Sequence, residues 1–303
     1  MNKSADVVII GGGCMGTSVA FHLTRRGVKN VVLVEREAFL GAGSTGRNAG
    51  GVRHQFSQEA NIRLSIESIR TLERFQEEVG YGIDFHQDGY LFLLSKRQSV
   101  SAFRHNVAQQ RRLGVDVDWL DPDQAAALVP GLNVEGVQAA TFCARDGIAD
   151  PNGVTMGFAK AAQDAGVDVC RETEVVGIRV EHGRISAVET TRGGISTRTV
   201  VNAAGPHAKQ IGELVALNVP VLPYRRHIFL VQPAVAGAWD HAPRGTRPAS
   251  VPITRIMVID FETTFYFHRE GGGLLFGMSN QDETPGFNTT VNWQSLERVT
   301  PMA

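Results

Sequence analysis

The hydrophobic pattern is clearest at the start of the chain. Val7, Val8, Ile9 and Ile10 are apolar without alternation, the pattern of a parallel strand covered on both faces. Gly11-Gly12-Gly13-Cys14-Met15-Gly16 comes next, and the spacing turns helical, with Gly16, Val19, Ala20 and Leu23 on one face and Gly27 at the end. Val31 to Val34 predict a second strand that ends at Glu35. These elements make a β-α-β unit.

A loop of small residues, Gly41 to Arg53, precedes an amphipathic helix expected from about Gln58, with Ile62, Ile66, Ile69, Leu72, Phe75 and Val79 inward. Gly89 to Leu94 reads as a strand, and Ser95 as the cap of a helix carrying Val100, Phe103 and Val107 and closing at Gly114. A helix around Met156 to Ala165 leads into strands at 167–169, 175–180 and 185–190, separated by His182-Gly183 and Gly193-Gly194 turns. Thr199 to Gly205 reads as a strand meeting a glycine turn. The chain then alternates in β fashion from Val219 to about Phe276, and Asn292 caps a short final helix with Trp293, Leu296 and Val299.

The chain has 303 residues, with 30 Lys+Arg against 31 Asp+Glu, a net charge of −1. That balance removes the basic surface of a general nucleic-acid binder, so no nucleic-acid partner is expected. Cys14, Cys143 and Cys170 are far apart and form no CxxC pair, which fits a reducing compartment and speaks against a disulfide framework or a cysteine-rich zinc site. No apolar run approaches the roughly 20 residues of a membrane span. A cytoplasmic protein without a membrane span is expected. The nine histidines are scattered without HExxH or a close His/Cys cluster, so no metal site is expected.

Gly11, Gly13 and Gly16 match GxGxxG between a strand and a helix, and Glu35 stands 19 residues after the last glycine. The glycines allow a tight turn, backbone approach to a pyrophosphate, and close helix–strand packing. The helix start offers free N–H groups and a positive dipole end to phosphates, and the acid accepts from a ribose hydroxyl. Gly12, Met15 and Arg36 complete this expected dinucleotide-binding set.

After the β-α-β unit the chain enters a Gly/Ser/Arg loop rather than further β-α-β repeats. Asp6 to Gly13, Gly43 to Arg53, Asp146 to Pro151, Val201 to Pro206, Pro223 to Arg226 and Gly273 to Ser279 together resemble the FAD-dependent D-amino-acid oxidase superfamily, in its sarcosine oxidase β-subunit-like and dimethylglycine dehydrogenase-like branch. The resemblance covers essentially the whole chain. It implies an α/β fold with a discontinuous Rossmann-like FAD-binding domain, residues 1–84 and 146–218. A mixed β-sheet substrate domain would occupy residues 85–145 and 219–291, with residues 292–303 beginning an incomplete C-terminal segment. It also implies oxidation of a small secondary or tertiary amino acid by hydride transfer to flavin. A glycine, D-amino-acid or opine oxidase, or a non-catalytic FAD-stabilised assembly protein, stands as the alternative.

By the same resemblance, Ser44 and Thr45 lie on the pyrophosphate side, Arg47 and Asn48 approach the flavin, and Gly205 forms a turn close to FAD. Val175 is either an adenine contact through its backbone or a core valine, and Arg47 is either at the flavin or a surface arginine. Arg53 is the expected ligand of the substrate carboxylate, since a planar guanidinium donates two parallel hydrogen bonds. His54 is either a second site residue or a packing residue. Tyr266 either lines the amine site or packs in its sheet, and His268 is an acid/base candidate with the same alternative. Arg225, Arg226 and His227 read as a polar strand edge, a salt-bridged cluster or part of substrate entry. Arg47 stands where the dimethylglycine branch has its flavin-linked histidine, and Pro151 near the place of an FMN-linked histidine, so non-covalent FAD is expected. Leu275 replaces the oxygen-activating lysine of monomeric sarcosine oxidases, so the acceptor is either oxygen or an electron-transfer partner, with Leu275 favouring the partner; the resemblance also allows a hetero-oligomeric partner.

Overall fold

Strand β1 (Val7–Ile10) lacks polar positions because it lies between two parallel neighbours. The structure is a computed structural model and describes residues 2–232 and 254–302. Its first compact unit comprises residues 1–48, 74–84 and 149–224. There β1 pairs on one side with β2 (Val31–Val34) and on the other with β13 (Val200–Asn202), while β9 (Asp168–Cys170) extends the sheet in the order β13-β1-β2-β9. Helix α1 (Cys14–Arg25) packs against α6 (Pro151–Asp164), with Phe21 and Phe75 both touching Phe158 at ring-centroid separations of 5.4 and 4.8 Å. An antiparallel meander of β10 (Val175–Glu181), β11 (Arg184–Thr190) and β12 (Gly193–Ser196) contributes Val188 and Ile195 to the core around Val8, Ile10, Val32 and Val34.

The second unit comprises residues 49–73, 85–148 and 225–303. Its seven-stranded sheet runs β14 (His227–Val231), β17 (Gly273–Met278), β16 (Tyr266–Glu270), β15 (Met257–Asp260), β5 (Tyr90–Leu94), β7 (Ala139–Cys143) and β6 (Asp118–Leu120). The sheet is mixed: β5 is parallel to β15 and antiparallel to β7. Alternation sorts its faces. Leu91, Leu93, Val258 and Phe267 pack with Ala125 of α5 (Pro122–Leu128) and with Val299. Tyr90, Phe92, Met257 and Tyr266 gather in a separate cluster. A small sheet joins β3 (Gly51–Val52), β8 (Gly147–Ala149) and β4 (Phe85–His86).

Several expectations change. The single helix expected from Gln58 to Val79 is two, α2 (Glu59–Glu73) and α3 (Phe75–Val79), because Arg74 leaves helical geometry (φ −113°, ψ 22°). The pieces belong to different units: Ile62 packs with Val107, Val115 and Val117, whereas Phe75 meets Phe158. Residues 49–73 and 146–148, expected with the first domain, lie in the second unit, and 219–224, expected with the second, lie in the first. Ser95 is not a cap, since α4 (Arg97–Arg112) begins after Lys96 without a side-chain cap. The β pattern expected from Val219 begins only at His227, and part of that stretch lies outside the described residues. The final helix is present as α8 (Gln294–Val299), with α7 (Ala208–Glu213) before it, and Asn292 Oδ1 accepts from the Gln294 N–H at 3.1 Å.

Gly16 is where α1 touches its own strand. A Cβ added there would lie 1.9 Å from the Gly11 carbonyl oxygen, and only a backbone shift relieves that. Gly16→Ala is expected to lower Tm by roughly 3–10 °C, the range expected from overpacking a tight contact. A thermal melt at the wild-type temperature would contradict this packing.

Candidate functional site

The first unit builds a cradle at the end of β1. Gly11 adopts φ +110°, and a Cβ there would meet the Ala203 carbonyl oxygen at 2.4 Å. Gly13 caps α1 in extended geometry and offers no side chain to the helix N–H groups. The Cys14 N–H donates to Thr45 Oγ1 at 3.1 Å, which ties the Ser44–Arg47 turn to the helix start. At the end of β2 the Glu35 carboxylate accepts from the N–H groups of Gly12 (2.6 Å) and Glu37 (2.9 Å). Arg36 contacts His207 Nε2 at 3.0 Å and pairs with Glu37. Gly205 has φ +53° with nothing near its Cβ position, and Met15 is exposed.

These features fit the ADP part of a dinucleotide cofactor. A side chain would fill the cradle at Gly11, the helix start is uncapped by its own residue, and an acid stands at the end of β2. Asn48 donates to the carbonyls of Ser44 and Thr45, and Arg47 ends the turn exposed. Val175 pairs with Thr190 in the meander and packs on the apolar cluster of Val8 and Val188.

The second unit holds Arg53, His54 and Tyr266 around β5. The register places Val52 opposite Gly147, so the chain leaving β3 passes Asp146. Arg53 is half-buried, its guanidinium carbon 4.4 Å from the Phe56 ring centroid and 5.2 Å from that of Phe92. Its Nη1 donates to the Gln55 carbonyl at 3.2 Å, and among the described residues it forms no ion pair. Burial lowers its pKa, while Tyr90 and Asp146 act in the opposite direction. A cleft of about 290 Å³ beside it is lined by Phe56, Asn61, Leu64, Ser65 and Ser68.

His54 is buried and turned to Asp146, which is fully buried. One Asp146 oxygen accepts from the His54 backbone N–H (2.7 Å) and from Nδ1 (2.6 Å), and the other from Gln55 Nε2 (3.2 Å). Gln55 Nε2 also donates to the Tyr90 carbonyl (3.1 Å), and its Oε1 accepts from Thr141 (2.8 Å). His54, Cys143 and Asp146 place a nitrogen, a sulfur and an oxygen within 4.8 Å of one another, which corrects the expectation of no close His/Cys cluster. Positions 89 and 92 residues apart give no spacing signal. The contact is a hydrogen-bonded one: 2.6 Å between Nδ1 and Oδ1 leaves no room for an ion between them.

Tyr266 lies across Gly277, where a Cβ would be 2.5 Å from its hydroxyl, and burial pushes the phenol up to about 12. Burial also raises Tyr90, whose hydroxyl occupies the space a side chain at Gly51 would need. His268 is fully buried with Nδ1 at 2.8 Å from the Arg269 carbonyl and no hydrogen-bond partner at Nε2 among the described residues, and burial lowers its pKa. Arg225 pairs with Glu283 at 3.0 Å and donates to the Thr290 carbonyl, the salt-bridged reading of that cluster. Tyr90, Phe92, Gln55, Thr141 and Asp146 gather around Arg53 and His54, and the sequence did not single them out as candidate site residues. The aromatic alternation of β5 was the available signal for Tyr90 and Phe92.

Comparison with known proteins agrees with this geometry. The family profile described as FAD dependent oxidoreductase, DAO, matches residues 6–303. The chain is 30% identical over 310 residues to the mitochondrial dimethylglycine dehydrogenase of Rattus norvegicus, covering 98% of this chain and 35% of that protein. It is 29% identical over 224 residues to the sarcosine oxidase subunit beta of Rhodobacter capsulatus, covering 72% of this chain and 54% of that one. The chain thus spans a minor part of the dehydrogenase's length. Among solved structures, L-proline dehydrogenase from P. horikoshii superposes with a TM-score of 0.86 at 32% identity, over 99% of this chain and 76% of the other. Among the described residues, no helix is long and apolar enough to cross a membrane.

Burial pushes the Cys143 thiol up to about 12, with Asp146 adding to the shift. Iodoacetamide at pH 8 is therefore expected to leave Cys143 unmodified in the folded protein and to label it after denaturation. Labelling of the native protein at the denatured rate would contradict this placement.

Proposed function

Since the chain belongs to the DAO family of FAD-dependent oxidoreductases, we propose that it oxidises the C–N bond of a small secondary or tertiary amino acid, sarcosine-, dimethylglycine- or proline-like, by hydride transfer to non-covalently bound FAD. The observation that carries the reading is Arg53: a half-buried guanidinium, stacked on aromatic rings, with no acidic partner among the described residues. Such a group is suited to a carboxylate supplied from outside. The names of the relatives fit this reading, since dimethylglycine, sarcosine and L-proline each carry a carboxylate beside a substituted amine.

In this account Gly11, Gly12, Gly13, Met15 and Gly16 would hold the pyrophosphate with Ser44 and Thr45. Glu35 and Arg36 would serve the adenosine side, with the Val175 backbone, and Arg47, Asn48 and Gly205 would serve the flavin side. Arg53 clamps the carboxylate and thereby orients the amine and its neighbouring C–H bond. Phe92, Tyr90 and Tyr266 supply a wall of low polarity, and the phenols stay neutral at physiological pH because burial raises both. The neutral amine loses a hydride from the carbon beside nitrogen and becomes an iminium ion, which a secondary amine can convert to the imine by losing its N–H proton. Addition of water then cleaves the C=N bond to an amine and a carbonyl group, and the iminium releases its proton in that step. Leu275, apolar and buried in β17, supplies no charge for oxygen activation, which favours an electron-transfer partner. A hetero-oligomeric arrangement is consistent with the name of the sarcosine oxidase subunit. The cytoplasmic assignment rests on three free cysteines.

Anaerobic addition of an amino-acid panel to the FAD-loaded protein tests the reading. The visible flavin band is expected to bleach with an N-methylated or cyclic amino acid. Arg53→Lys is expected to raise KM for that substrate roughly 10-fold or more, because a point charge replaces the planar fork. Bleaching by glycine or D-amino acids alone would favour the oxidase alternative, and bound flavin that no amine reduces would favour a non-catalytic role.

A further inference from the structure

We infer that Asp146 is a positioning residue that fixes the Arg53 guanidinium through His54 and Gln55. The inference rests on the reading of Arg53 as carboxylate ligand and goes beyond it by naming what holds that ligand in place. Asp146 itself does not touch Arg53 by any hydrogen bond; every link runs through His54 and Gln55, the two residues after Arg53.

The path is short. Asp146 accepts from the backbone N–H and Nδ1 of His54, so the peptide immediately after Arg53 is fixed at both its main chain and its side chain. Its second oxygen accepts from the Gln55 side-chain Nε2, and the main-chain carbonyl of the same residue accepts from Arg53 Nη1. The orientation of the Gln55 amide is set by its other neighbours. The Tyr90 carbonyl only accepts, so the nitrogen faces it, and the Thr141 hydroxyl donates to the oxygen. Four strands converge here: β3 delivers Arg53, β8 starts after Asp146, β5 supplies the Tyr90 carbonyl, and β7 supplies Thr141.

All members of this network are buried: Asp146 and Thr141 are 0% exposed, His54 4% and Gln55 5%. An apolar core would have packed these positions more simply. The hydrogen bonds that join Asp146 to His54 and Gln55, and Gln55 to Thr141, instead specify one arrangement, since a displaced donor here finds no water. Negative charge at Asp146 also raises the pKa of Arg53 against the lowering by burial. The carboxylate is thus placed to hold the guanidinium while leaving its donating edge free, which a direct salt bridge would occupy.

The test is a double-mutant cycle on the FAD-loaded protein. Binding of methoxyacetate, a carboxylate without an oxidisable amine, is measured by calorimetry for wild type, Asp146→Asn, Arg53→Lys and the double variant. Asn keeps the shape of Asp146 but turns an NH2 group towards the Gln55 NH2. Asp146→Asn is expected to weaken binding about 10-fold in the wild-type background and less than about 2-fold in the Arg53→Lys background, the non-additivity of coupled residues. Substrate KM should rise with kcat held within about 3-fold. Equal losses in both backgrounds, or no loss in wild type, overturn the inference. Wild-type binding by Arg53→Lys overturns instead the underlying assignment of Arg53, so the two failures are distinguishable. Melting temperature and flavin content are recorded for each variant. Should Asp146→Asn not fold, Thr141→Val removes only the hydroxyl that orients Gln55. It is expected to weaken methoxyacetate binding about 3-fold in an Arg53-dependent manner, and unchanged binding overturns the inference.

Discussion

A guanidinium withdrawn from water needs compensation, and the second unit of this protein is arranged around supplying it to Arg53 without a carboxylate in contact. Phe56 and Phe92 face the cation, each such contact being worth about 0.5–2 kcal/mol. The Gln55 carbonyl takes one donor, and Asp146 contributes attraction from a distance. The remaining donors have no acidic partner among the described residues. Ordinary structural arginines here are handled otherwise. Arg225 is paired with Glu283 and Arg145 with Glu73, both with direct nitrogen–oxygen contacts. The contrast separates arginines paired with a carboxylate from Arg53, the one proposed here to bind a substrate carboxylate.

How readily the sequence could be read depended on the range of the forces involved. From Val7 to Glu35 every rule is local: an apolar strand, glycines at positions that need positive φ or close approach, a helix, a strand and an acid. Strand, turn and helix there agree with what the pattern predicts. The helix after Gln58 misled because its apolar spacing continues through Arg74 into Phe75 and Val79, while the backbone breaks there and the two pieces serve different cores. Asp121 and Gln124 form a capping box in plain D-x-x-Q spacing, a local signal that was open to reading.

The polar network was beyond reach for a different reason. Gln55 meets Thr141 across 86 residues, and His54 meets Asp146 across 92, so only the pairing of β5 with β7 and of β3 with β8 brings them together. Arg53 itself was accessible through the resemblance of its surrounding loop, whereas the residues that hold it were not. His268 shows the converse. Its residue type suggested chemistry, and the spacing in β16 did not foretell that the ring would be fully enclosed. A fold shared by many oxidoreductases does not choose a substrate; the groups left free in the cleft do.

The central claim is that the substrate carboxylate, held by Arg53, selects the molecules this protein oxidises. The most direct measurement compares anaerobic flavin reduction by the best amino-acid substrate with that by its primary amide, which keeps the amine and the reacting C–H bond but removes the negative charge. The account predicts that the amide reduces the flavin at least about 100-fold less efficiently, a loss consistent with a desolvated charge-assisted pair. It also predicts that this difference largely disappears in Arg53→Gln. Comparable reduction by acid and amide in the wild-type protein would contradict the account.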